Sequence, residues 1–164
     1  MRTLTGRRVP APAITGLACV VALVSGLLAT GSAGPAGATG RPVPASAIGQ
    51  LTKIASRAAR LNGDAHPAWV TVVATTHALA LTSATPGDFV PGTEGVRVYL
   101  LTMQGHFTDN AASGPSGSKA PTGSYLSIVL NAGNFYGMDF GLSNTPPPVA
   151  PDSLGPVTYL SVGG

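Results

Sequence analysis

Apolar positions along the chain recur with two different periods, and the change from one to the other marks out the elements. Over residues 46–61, Ile48, Leu51, Ile54, Ala55, Ala58 and Leu61 recur at helical spacing, with Lys53, Arg57 and Arg60 on the other side. Ser46 is placed to cap this helix, and Asn62-Gly63 supplies a residue able to take the left-handed conformation that stops it. A helix of about four turns is marginal alone, so its apolar stripe needs a surface to pack on.

The period then drops to two. Residues 69–81 ("WVTVVATTHALAL") are rich in Val and Thr and read as a strand. Val70, Val72 and Ala74 share one face, and Trp69, Thr71, Val73, Thr75 and His77 share the other. Thr85-Pro86-Gly87-Asp88 suits a tight turn, because proline pre-sets φ and glycine tolerates positive φ. A second strand follows in "VRVYLLTMQGHFTDN", where Tyr99, Leu101, Met103, Gly105 and Phe107 alternate with Leu100, Thr102, Gln104 and His106. Residues 108–123 are polar and low in complexity, a disordered-like loop rather than an element.

A hairpin comes next. Leu126, Ile128 and Leu130 alternate with Tyr125, Ser127 and Val129, and Tyr136, Met138, Phe140 and Leu142 alternate with Phe135, Gly137, Asp139 and Gly141. With Ala132-Gly133-Asn134 as the loop, Leu130 opposes Tyr136, Ile128 opposes Met138 and Leu126 opposes Phe140, which gathers the large apolar pairs on one face. Residues 144–151 are kept irregular by their prolines, and "LGPVTYL" is expected to return as a short edge strand. The order predicts an α+β domain over residues 46–164: one N-terminal helix packed on a curled antiparallel meander of four to five strands.

Composition changes this picture at the N-terminus. Arg2, Arg7 and Arg8 precede an uncharged run over residues 11–28, and small-residue sites end at Ala33 and Ala38. That is the pattern of a secretory signal peptide over residues 1–38, cleaved after Ala33 or Ala38, and it predicts a secreted, extracytoplasmic protein with no membrane association after cleavage. Cys19 lies inside the discarded run, so the mature chain holds no cysteine and no disulfide framework. Residues 39–45 read as a flexible linker.

Charge follows the same division. The whole chain is +3, yet from residue 39 onward six basic residues face six acidic ones. The excess belongs to the signal segment, and nothing points to nucleic acid as a partner.

Candidate chemistry is sparse. With the first two strands joined through a loop centred near Phe89, His77 falls opposite Leu100 and His106 opposite Thr71, on the order of 20 Å apart, too far to share a metal ion. His66 precedes Pro67 in a turn, and there is no HExxH, His/Cys cluster or acidic calcium loop, so neither a metal nor another cofactor is expected. His106 and Asp109 have the residue types of an acid–base pair, but strand alternation and the turn chemistry of Asp109-Asn110 read as strand termination. No GxSxG, SxxK or phosphate loop supplies a nucleophile or a cradle, so no catalytic residue is assigned.

The passage "KIASRAARLNGDAHPAWVTVV" and the hairpin "LSIVLNAGNFYGMDFGL" resemble the helix-to-strand passage and hairpin of PepSY-type and cystatin-like secreted domains, over about residues 46–142. The Asp-x-x-Thr-Gly turn typical of PepSY hairpins is replaced here by Asn131-Ala132-Gly133-Asn134. The Ala/Gly/Pro-rich composition is also similar to that of secreted proteins of high-G+C bacteria. The resemblance implies inhibition or regulation of extracytoplasmic proteins such as peptidases.

From the residues, the outer sheet face is the candidate binding surface, with Trp69, Thr71, Val73, Tyr125 and Phe135 on it. The reading is a small exported non-enzymatic domain that binds a protein, peptide or cell-envelope component. A small hydrolase or ligand-binding domain using a sheet-face histidine, and a passive envelope spacer, are the alternatives.

Overall fold

A computed structural model of the chain describes residues 40–112, 115 and 117–163. The expected signal peptide therefore lies outside the described residues. Helix α1 spans Ala45–Leu61, strand β1 Trp69–Thr76, helix α2 His77–Ala84, strand β2 Arg97–Thr108 and strand β3 Thr122–Asn131. Strand β4 spans Gly137–Ser143, the short helix α3 Pro151–Leu154 and strand β5 Thr158–Tyr159. The strands form one antiparallel sheet in the order β4-β3-β2-β1-β5. The class is α+β with an N-terminal helix, as the periodicity predicts.

Helix α1 presents Ala47, Leu51, Ala55 and Ala59 to the sheet, an i, i+4 stripe in which three of four residues are small. Small side chains bring the helix axis close to the strands, so Ile48, Ile54 and Ala58 flank the contact and Leu61 is left exposed. Beneath the stripe lie Val70 and Val72 of β1, Leu101 and Met103 of β2, and Leu126 of β3. Pro44, not Ser46, precedes the first turn, and no side chain caps it. At the other end the left-handed residue is Gly63, with φ +90°, while Asn62 returns its side-chain amide to Ala58 O. Residues 40–44, expected as linker, lie on the fold, and Val43 is buried in the helix-side core.

The opposite face is covered too. Strand β1 stops at Thr76, where the composition changes from Val/Thr to Ala/Leu, and α2 begins. Alternation alone does not register this break, because β1 and the first residues of α2 carry similar hydrophobicity. The chain from β4 to β5 includes α3, and Ser83 Oγ on α2 donates to Val149 O at 2.8 Å. Val73, Ala80, Val98, Leu100, Val129 and Leu154 form the second core.

Two registers differ from expectation. Thr76 pairs with Arg97 and Trp69 with Gln104, four positions from the register that put His77 opposite Leu100. In the second hairpin Ile128 pairs with Phe140, Leu126 with Leu142 and Leu130 with Gly137, two positions on from the expected pairing for the first two. The turn is wider than Ala132-Gly133-Asn134: Phe135 N–H bonds Asn131 O, Asn131 N–H bonds Tyr136 O, and Phe135 takes φ +59°. A register shift between Val129 and Leu130 then turns Met138 to the second core, leaving Tyr136 and Phe140 exposed.

Strand β2 continues past Gly105-His106 to Thr108 through a second irregularity, between Gln104 and Phe107. There the Asp64 carboxylate accepts the backbone N–H of His106 at 2.8 Å and that of His66 at 2.9 Å. A Cβ on Gly105 would collide with the Asp64 carboxylate, so a larger residue here displaces that carboxylate from the two N–H groups it accepts.

Candidate functional site

Two places on the outer face bring together side chains able to do something chemical. In the first, β4 carries Asp139 opposite Val129, and the β1–α2 junction aims His77 at it. His77 Nε2 lies 2.5 Å from Asp139 Oδ2, and Nδ1 lies 2.7 Å from Thr93 Oγ1. Thr93 Oγ1 also donates to Val90 O at 2.8 Å. The Thr93 hydroxyl thus has two acceptors in reach, Val90 O and Nδ1, and the tautomer of the ring sets which partner donates in the Nδ1 contact. Both ring nitrogens are occupied, and the His77 residue is 1% exposed.

This network contains the three residue types of a hydrolytic triad in the wrong arrangement. A catalytic imidazole has to reach a substrate, whereas the ring of His77 is closed off from solvent. The result is a clasp: through the first residue of α2 it ties the loop before β2 to strand β4. His106 and Asp109 are not brought together as an ion pair. His106 is exposed, and Asp109 Oδ1 accepts the N–H of Ala111, the local turn bond that ends a strand. His66 is exposed as well. Among the described residues no three His, Cys, Asp or Glu side chains converge to hold a metal ion.

The second place is a cleft of about 250 Å³ beside the edge strand, lined by Trp69, Thr71, Pro151, Asp152, Val157 and Tyr159. Trp69 and Tyr159 supply aromatic walls, Thr71 is a buried polar floor, and Tyr159 stands 76% exposed. Across β2, the Trp69 ring meets Tyr125 with centroids 6.3 Å apart and planes tilted by 57°. Tyr125 OH accepts from Gln104 Nε2 at 3.2 Å, which fixes the phenol and, through it, one side of the indole. Tyr125 also lines a neighbouring hollow of about 310 Å³ together with Ser127, Ser143 and Pro146.

Of the five residues read as an outer binding face, Trp69, Thr71 and Tyr125 come together. Val73 is on that face but fully buried beneath α2 and α3, so it has no surface to offer. Phe135 lies on the helix side, stacked on Tyr99 at 5.8 Å, because the wide turn and its positive φ carry it across the sheet. Tyr159 is the residue that sequence reading passed over; the signal for it was "PVTY", an aromatic in the expected edge strand. Among the described residues no helix is long and apolar enough to cross a membrane. No family model, curated protein or solved structure matches the chain.

Proposed function

We propose that the chain is an exported, non-enzymatic domain that binds an extended peptide segment of another protein along β5, with side chains of the segment seated in the Trp69–Tyr159 cleft. The observation that carries this reading is the open backbone edge beside an aromatic cleft. Leu160 N–H bonds Val70 O, so by the alternation of an antiparallel ladder Tyr159 directs its own N–H and C=O away from β1. β5 is the last strand of the sheet, and that pair of groups is available for an added strand. The enclosure of His77 supports a binding role over hydrolysis, since a general base has to reach its substrate. The likeness to PepSY-type domains is consistent with a peptide or protein partner, as an analogy only.

Trp69 is the chain's single tryptophan, so its emission reports the cleft directly. An extended-peptide library selects a ligand, and titration of that peptide is expected to shift the emission to saturation. Tyr159→Pro removes the outward N–H without touching the β1 ladder and is expected to abolish binding while the circular dichroism is retained. If no peptide saturates, or if Tyr159→Pro binds as the parent does, the reading is wrong. Saturation by soluble envelope glycans instead assigns the cleft to a polymer. Export is checked by the mass of the secreted chain, expected to begin at Gly34 or Thr39.

A further inference from the structure

Of the residues lining the Trp69–Tyr159 cleft, only Asp152 is charged. It stands exposed in the first turn of α3. No cationic side chain lies within 4.0 Å of it, the one ion pair among the described residues being His77–Asp139. The aromatic walls act in the same sense as the carboxylate, because the face of a ring carries the negative end of its quadrupole. Pro151 and Val157 add apolar surface. One free carboxylate, two aromatic rings and no lysine or arginine make a cleft complementary to a cation carried on an apolar stem.

Register decides which residue of an added strand can use it. Thr71 pairs with Tyr159, so both side chains stand on the outer face, Thr71 as floor and Tyr159 as wall. In an antiparallel addition, the residue directly opposite Tyr159 exchanges both backbone bonds with it and sends its side chain to that same face. From there Thr71 is two strand spacings away, about 10 Å. A valine or leucine stops against the Tyr159 side chain. The long stem of an arginine or lysine lies along it and carries the charged head over it. Arginine fits better than lysine, since its planar guanidinium stacks on aromatic faces and forks a carboxylate with two N–H bonds.

On the reading of β5 as the edge to which a peptide adds, we propose that the partner segment carries an arginine opposite Tyr159, its guanidinium against the aromatic walls and paired with Asp152. The cleft then selects basic segments, and Asp152 is the residue that sets this specificity.

The test follows Trp69 emission while blocked peptides of sequence Ser-Thr-Val-Xaa-Val-Thr-Ser are titrated into the full mature chain, with arginine, citrulline or leucine as Xaa. The arginine peptide is expected to bind roughly tenfold more tightly than the citrulline peptide, which keeps the shape and lacks the charge. Asp152→Asn is expected to erase that difference while the citrulline and leucine peptides bind as before, a split that lost folding would not produce. Equal affinity for all three peptides, or an equal weakening of all three by Asp152→Asn, overturns the arginine site and leaves strand addition standing. Methylation of the arginine's backbone nitrogen deletes its bond to the Tyr159 carbonyl, and lost binding there supports arrival on an added strand. Undiminished, Asp152-dependent affinity of the methylated peptide overturns strand addition instead. If no peptide saturates the emission, both fall.

Discussion

The two faces of the sheet are both covered, yet they are built on different chemistry. Toward α1 the strands show Val70, Val72, Leu101, Met103 and Leu126, an apolar surface closed by one amphipathic helix. The outer face mixes rows. Val73, Leu100 and Val129 form an apolar strip under α2 and α3, whereas Thr71, Thr102 and Ser127 form a row of buried hydroxyls across three strands. Beside them the His77–Asp139–Thr93 clasp is enclosed. The helix side is thus held by area removed from water, and the outer side by small helices, a crossing segment and polar bonds that must each be made. A face of the second kind carries local defects, and the Trp69–Tyr159 cleft lies on it.

That contrast is breakable by substitution. The largest loss is expected on the helix side: Leu126→Ala deletes a fully buried side chain under α1 and should lower stability by about 2–5 kcal/mol in denaturant unfolding. A loss under 1 kcal/mol would mean that α1 does not close that face tightly. Next comes the clasp. Asp139→Ala leaves His77 buried with one ring nitrogen unpartnered and is expected to cost about 1–3 kcal/mol. It should also raise amide exchange over residues 88–96, since the loop loses its tie to β4; exchange unchanged there would show that the clasp holds nothing. Smallest, and opposite in sign, is Thr102→Val. Thr102 is fully buried with its hydroxyl unpartnered, so the substitution should be neutral or stabilising by up to about 1 kcal/mol. Destabilisation would show that the hydroxyl row is a bonded network.

The legible part of this molecule is the part whose local pattern agrees with its packing. Helix α1, the β1–β4 meander and the short last strand follow from periodicity, because each has one strongly apolar face or a turn that interrupts it. Helix α2 was hidden: its Ala/Leu sequence continues the apolar character of β1, and only tertiary packing decides between strand and helix there. The hairpin register failed for a local reason, a turn that admits Phe135 at positive φ and a bulge at its exit. Those errors concealed the clasp. His77 and Asp139 are 62 residues apart, and placing them together requires two correct registers and the β1–α2 junction. Trp69 and Tyr125 needed only alternation, and they do meet. Phe135 needed the turn, and it does not join them.

Enclosure of His77 is what separates a clasp from a catalyst, and chemical modification of the three histidines reads it directly. On treatment with diethylpyrocarbonate followed by peptide mapping, His66 and His106, both exposed, are expected to react at rates near those of free imidazole. His77 should stay unmodified until the chain is unfolded, and Asp139→Ala should open it to the reagent. Modification of His77 in the native protein as fast as that of His66 would contradict the account and return the outer face to the enzymes.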